Sequence, residues 1–97
     1  MVRAGGTVLA ESDRPVVVLE TGFPARCYLP EDDVRVPLEP SSTTTFCPYK
    51  GTASYAGVDG HDDVAWSYPE PFDETRAAAG LWCFDDGAEG ITVEVTP

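Results

Sequence analysis

Basic residues are scarce in this sequence. One lysine, Lys50, and five arginines stand against 17 acids in 97 residues, for a formal net charge of −11. Binding to nucleic acid draws on Lys and Arg to neutralise phosphates, so no nucleic-acid partner is expected, and an anionic membrane surface is disfavoured for the same reason. Long apolar runs are absent too. Residues 1–15 hold nothing of signal-peptide length, and no segment approaches the ~20 apolar residues of a membrane span. These absences predict a cytoplasmic protein with no membrane partner. Paired cysteines are missing: Cys27, Cys47 and Cys83 are isolated and odd in number, which suits a reducing compartment better than a disulfide framework. There is no CxxC pair, and only His61 could join the three thiols, at spacings that match no zinc pattern. Neither a metal nor a cofactor is expected. The acidity itself reads as solubility through self-repulsion.

What is present is enough for one small globular domain over residues 1–97, with 42% hydrophobic residues and a single modest core. A chain of this size buries ~60 to 65% of its unfolded surface. The charge is unevenly spread. Residues 1–50 carry seven acids and five bases, whereas 51–97 carry ten acids and Arg76 alone. Neither an internal repeat nor a linker interrupts the chain.

In order, the chain reads as short strands punctuated by turn residues. Residues 7–10 form an apolar segment after Gly5 and Gly6, and 16–19, behind Pro15, form a β-branched run suited to a buried strand. Thr21-Gly22-Phe23-Pro24 breaks that run. Across 25–29 the alternation sets Arg26 and Tyr28 on one face and Cys27 and Leu29 on the other. Residues 30–33 read as a turn or a single helical turn. Val34, Val36 and Leu38 follow as an edge or extended loop because of Pro37. The Ser/Thr cluster 40–45 is a loop or the start of a strand, and 51–57 alternates small residues around Tyr55. Asp59-Gly60 signals a hairpin, whose return strand places Val64, Trp66 and Tyr68 on one face with Ala65 and Ser67 opposite. Asp73 is placed to cap a short helix over 74–79 stopped by Gly80, and 81–84 and 91–95 are the last strands.

Three stretches carry a family resemblance: PVVVLETGFPARCYLPEDDVR, TTTFCPYKGTASY and DVAWSYPEP. They resemble the bacterial domain of unknown function 427 family, sometimes labelled nucleotidyltransferase-like. The resemblance implies a compact, mainly β domain of short twisted antiparallel strands with one short helix, similar to the Rab-exchange-factor and methionine sulfoxide reductase B class. It implies no settled activity. Cys27 stands where the family leads us to expect an aromatic, and the paired zinc cysteines of the analogous folds are missing. Nor do the residues argue for nucleotidyl transfer. That chemistry needs carboxylates holding divalent metal beside a triphosphate-binding loop, and there is no GxxxxGK[ST] here. Asp59, Asp62 and Asp63 read more simply as a solvated hairpin tip.

The candidate site is organised around residues 46–68, where Phe46, Cys47, Tyr49, Tyr55, Trp66 and Tyr68 gather with Lys50. Arg26, Tyr28, Lys50, Tyr55, Trp66 and Tyr68 combine cations with aromatic bodies carrying polar tips, the mixture expected of an orienting pocket wall. The expected role is binding of a small polar or anionic ligand at the CPYKG and WSYP segments. Against it stand structural ion pairs of Arg26 and Lys50 with Glu20 or nearby aspartates, and a purely core role for Trp66 and Tyr68. Cys47 invites a second reading, a thiol-dependent small-molecule enzyme, because an ammonium three residues on favours the thiolate. The usual base is missing, since the lone His61 falls at the hairpin, and Cys47 can equally be a buried apolar residue. A third reading is an interaction module using its edge strands or acidic face. Ligand identity and oligomeric state are not written in these residues.

Overall fold

The structure, a computed structural model, describes residues 1–19, 25–48 and 50–94, with residue 74 described by its backbone alone. Among them nine strands form: β1 (Val2–Ala4), β2 (Thr7–Ala10), β3 (Val16–Val18), β4 (Arg26–Tyr28), β5 (Glu39–Cys47), β6 (Gly51–Val58), β7 (His61–Ser67), β8 (Trp82–Phe84) and β9 (Ile91–Val93). Every strand pair is antiparallel. The strands make three sheets, ordered β2-β1-β9, β3-β4 and β5-β6-β7-β8. Leu29 and Trp82 exchange both backbone hydrogen bonds, at 2.7 and 2.8 Å, so the β3-β4 ribbon continues the largest sheet beyond β8.

Because side chains alternate along a strand, this long sheet has two faces and each acquires its own core. One face packs against the β2-β1-β9 sheet, burying Val2, Leu9, Leu29, Val58, Val64, Ala65, Phe84 and Ile91. Residues 33–35 seal the side of that layer. Glu11 donates to the Asp33 carbonyl at 3.1 Å, Arg35 donates to the Leu9 carbonyl at 2.7 Å, and Val34, Val36 and Leu38 pack inward, as an edge loop should. The other face gathers Tyr28, Ala53, Tyr68, Ala78 and Cys83, with Val16, Val18, Cys47, Tyr55 and Trp66 packed around them.

Asp59 and Gly60 both take positive φ, 48° and 80°, so the β6–β7 hairpin closes with the type I′ geometry that matches strand twist. Just beyond it the ladder slips. Ala56 pairs with Ala65 and Val58 with His61, leaving more residues on β7 than on β6, and Asp63 takes φ 52°. Gly57 lies opposite this bulge, where a Cβ would come within 2.8 Å of the His61 carbonyl oxygen. The slip turns Val64 into the first core, so it does not share the face of Trp66 and Tyr68 expected from simple alternation.

Other expectations are corrected as well. The run 16–19 is no buried strand: it shortens to Val16–Val18 in a two-stranded ribbon, and Val17 and Leu19 are 50% and 77% exposed. Of the two readings of the Ser/Thr cluster 40–45 the strand holds, since the cluster belongs wholly to β5, with a bulge between Pro40 and Thr44. The helix expected over 74–79 is instead a 3-10 segment, Asp73–Ala78, kinked at Thr75 and without a side-chain cap from Asp73. A second 3-10 turn, Glu31–Asp33, falls where a single helical turn was one of the two readings. β1 was not anticipated, and β9 ends at Val93. The Thr21–Pro24 break, Glu20, Tyr49 and Val95 lie outside the described residues.

Candidate functional site

Strands β4, β6 and β7, with the residues that flank β6 and β7, deliver the candidate residues to the second face. Tyr55 on β6 pairs with Trp66 on β7, and Trp66 pairs with Cys83 on β8. The Leu29–Trp82 bridge then places Tyr28 and Arg26 of β4 beside β8 on the same side. Lys50 arrives from the turn between β5 and β6, where its amide donates to the Cys47 carbonyl at 3.2 Å and its carbonyl accepts from Phe72 at 2.9 Å. The arrangement is an aromatic floor. The rings of Tyr28 and Tyr68 stand 6.4 Å apart, those of Tyr55 and Trp66 6.2 Å, and the Trp66 indole donates to the Tyr28 hydroxyl at 3.2 Å. The Tyr55 hydroxyl is tied to Thr45 at 3.1 Å.

Each cation stands over a ring. The Arg26 guanidinium is 5.5 Å from the centre of Trp66, and the Lys50 ammonium is 5.6 Å from that of Tyr68, both within cation–π range. Arg26 also reaches Asp86 at 3.1 Å. With the two side chains 31% and 61% exposed, that pair is a surface pair of low worth. Asp86 was not singled out from sequence, and the Glu20 partner considered there lies outside the described residues.

Cys83 was also missed, although alternation through 82–84 is enough to put it beside Trp66. It is 2% exposed in the middle of the floor. Burial pushes its thiol up to about 12, against the opposing pull of Arg26 and Lys50. Both cations therefore act on the same spot.

Cys47 joins the rim of this cluster, half-buried. His61 does not. Cys47 pairs with Gly51 at one end of β6 and His61 with Val58 at the other, roughly 20 Å apart along an eight-residue strand. His61 cannot serve as the base for that thiol. Asp63 is held instead at the bulge, where Thr43 donates to its carboxylate at 2.7 Å and hydroxyl bonds from Ser41 and Thr43 lower its pKa. Among the described residues no three His, Cys, Asp or Glu group as metal ligands, and no helix is long and apolar enough to cross a membrane.

Among the described residues, three cavities lie away from the six candidate residues. One of about 450 Å³ sits between the first sheet and the ribbon, against Ser12, Asp13, Cys27, Leu29 and Phe84. One of about 340 Å³ is bounded by Phe46, Thr52, Glu70 and Phe72, and one of about 350 Å³ by Glu39, Ser41, Gly57 and Asp63.

Residues 1–95 match a family model described as Domain of unknown function (DUF427). No curated protein matches the chain.

Proposed function

The chain belongs to that family, whose description names no activity, and from the chain's own residues we propose that it binds a small polar or anionic ligand over the floor formed by Tyr28, Tyr55, Trp66 and Tyr68. What carries this reading is the pairing of Arg26 and Lys50, each poised over an aromatic ring on one sheet face, in a chain of net charge −11. In so acidic a molecule, two cations on one face make a local positive spot that favours an anion. The flat rings suit a planar or partly apolar body behind the charged group. The fold-level likeness to Rab-exchange-factor and methionine sulfoxide reductase B sheets, a cytoplasmic location and the lack of a nucleic-acid partner belong to the same proposal. Short antiparallel strands and the scarcity of bases support them.

The test is thermal shift with inorganic phosphate and a series of mono- and dicarboxylates, followed by indole fluorescence because Trp66 lies in the floor. A saturable rise in Tm is expected, lost in Arg26→Met and in Lys50→Met. Methionine keeps much of the packing of the lysine stem, so the ligand-free stability of Lys50→Met should stay within about 1 kcal/mol of the parent. A loss of several kcal/mol with unchanged anion affinity would instead mark Lys50 as neutralising an internal carboxylate. Repeating the titration after alkylation separates binding from a thiol-dependent reaction through Cys47: stabilisation that survives alkylation excludes the thiol.

A further inference from the structure

The strand β5 is the outer member of the four-stranded sheet and, among the described residues, pairs only with β6. It is nine residues long, and all of it except Ser41 and Cys47 is exposed. From residue 40 to residue 49 the chain carries no charge, the longest such run in the sequence. Proteins ordinarily guard a long exposed edge with lysines, inward-pointing charges or proline, because its unpaired N–H and C=O groups template another strand. Here only Pro40 and the bulge after it protect the start, and Thr44–Cys47 continues as a regular ladder. At that unguarded end Phe46 is 67% exposed. Its ring meets the 43% exposed Phe72 edge-on at 6.2 Å, beside the cavity of about 340 Å³.

We propose that β5 is a homodimer interface, pairing antiparallel with β5 of a second copy about a twofold axis to make one continuous sheet. The occupant follows from the strand's own chemistry. Antiparallel self-pairing centred on Thr44 and Thr45, where the ladder is regular, sets each of these threonines against the other, so hydroxyl residues face hydroxyl residues, a favourable cross-strand combination. A twofold interface demands this kind of self-complementarity. Charge points the same way. Two copies that each carry −11 repel over most of their surface, and the charge-free edge lets them approach without setting like charges opposite one another. A cationic peptide, by contrast, would be drawn to the acids elsewhere on the chain.

Sedimentation equilibrium of the full chain tests this, with Thr44→Lys and Phe46→Lys as edge-blocking variants. Both positions are exposed, so each variant should keep the parent's circular dichroism, and its Tm should lie within a few degrees of the parent's at dilutions where the parent is monomeric. The parent is expected at twice its 10.4 kDa mass, with association strengthening as salt screens the repulsion. Either variant should weaken association at least about tenfold. A parent that stays monomeric at millimolar concentration overturns the proposal, as does a dimer that persists in both variants. A monomer that instead takes up an extended lysine-rich peptide along this edge assigns β5 to a different occupant and overturns it too.

Discussion

Cys83 sits where two cations would be expected to ease its ionisation, yet burial wins and the thiol is pushed up to about 12 from an ordinary value of 9.0. The folded state therefore holds a proton that the unfolded chain gives up. The associated stability is complete below pH 9.0 and is lost as pH rises toward about 12. In this window the thiol should contribute a slope of roughly 1.4 kcal/mol per pH unit. Urea unfolding of Cys83→Ala beside the parent from pH 8 to 11 should show the parent falling more steeply, and parallel curves would refute the assignment. Native alkylation at neutral pH should modify Cys27 and Cys47, both half-buried, before the buried Cys83. Trp66 offers the companion test. Trp66→Phe retains a ring beneath Arg26 but loses the donor to the Tyr28 hydroxyl, and should cost about 1 kcal/mol. Trp66→Ala should cost about 2 to 3 kcal/mol, less than a fully buried tryptophan, because Trp66 is only half-buried. At this scale the sequence was readable wherever period-two alternation held. It put Arg26 with Tyr28 and Trp66 with Tyr68, whereas Asp86 could be tied to Arg26 only through contacts distant in the chain.

The elements whose form depends on backbone slips rather than on side-chain pattern were the ones misread. Asp59-Gly60 announced its hairpin because a type I′ turn needs positive φ at both positions. The bulge a few residues later has no comparable signature: Asp63 enters the left-handed region, Val64 changes cores, and only Gly57 across the ladder hints at the crowding. Gly57→Ala should accordingly cost about 2 to 3 kcal/mol in urea unfolding, since its Cβ would press on the fixed backbone of His61. Gly60→Ala meets no atom within 4 Å and pays only for its positive φ, about 1 kcal/mol. Equal costs at the two sites would show that the β7 backbone yields. The same limit explains the helix. The acidic and alanine-rich composition of 73–79 fits a helical turn, but six residues are too few to sustain α-helical cooperativity, and the chain settles into kinked 3-10 geometry. β1 escaped notice because three residues carry too little pattern, and its place is fixed by β2 and β9 rather than by itself.

Over the whole molecule, two opposing electrostatic trends set the pH of greatest stability. Ten acids and one base in residues 51–97 leave the folded chain under self-repulsion at neutral pH, which is relieved as carboxylates protonate toward the isoelectric point near 4.1. Stability should therefore rise as pH falls from 7. Two carboxylates act in the other sense. Asp33 is held below its ordinary 3.8 first by the Ser12 hydroxyl, which donates at 2.7 Å, and then by Arg14 and Arg35. Asp63 is held below 3.8 by the hydroxyls of Ser41 and Thr43. For such groups the stabilisation is complete above 3.8 and fades as pH falls through the lowered folded values. The rise is therefore unopposed until the pH nears 3.8, which places the maximum of Tm at about pH 4. Salt separates the contributions. At pH 7, added sodium chloride should raise Tm by screening the repulsion, and near pH 4 the increase should vanish because the net charge has. Ser12→Ala together with Thr43→Val should remove part of this acid-side loss and move the maximum to lower pH, leaving the rise as pH falls from 7 intact. A Tm that falls steadily from pH 7 downward would mean that ion pairs, not self-repulsion, govern this chain at neutral pH.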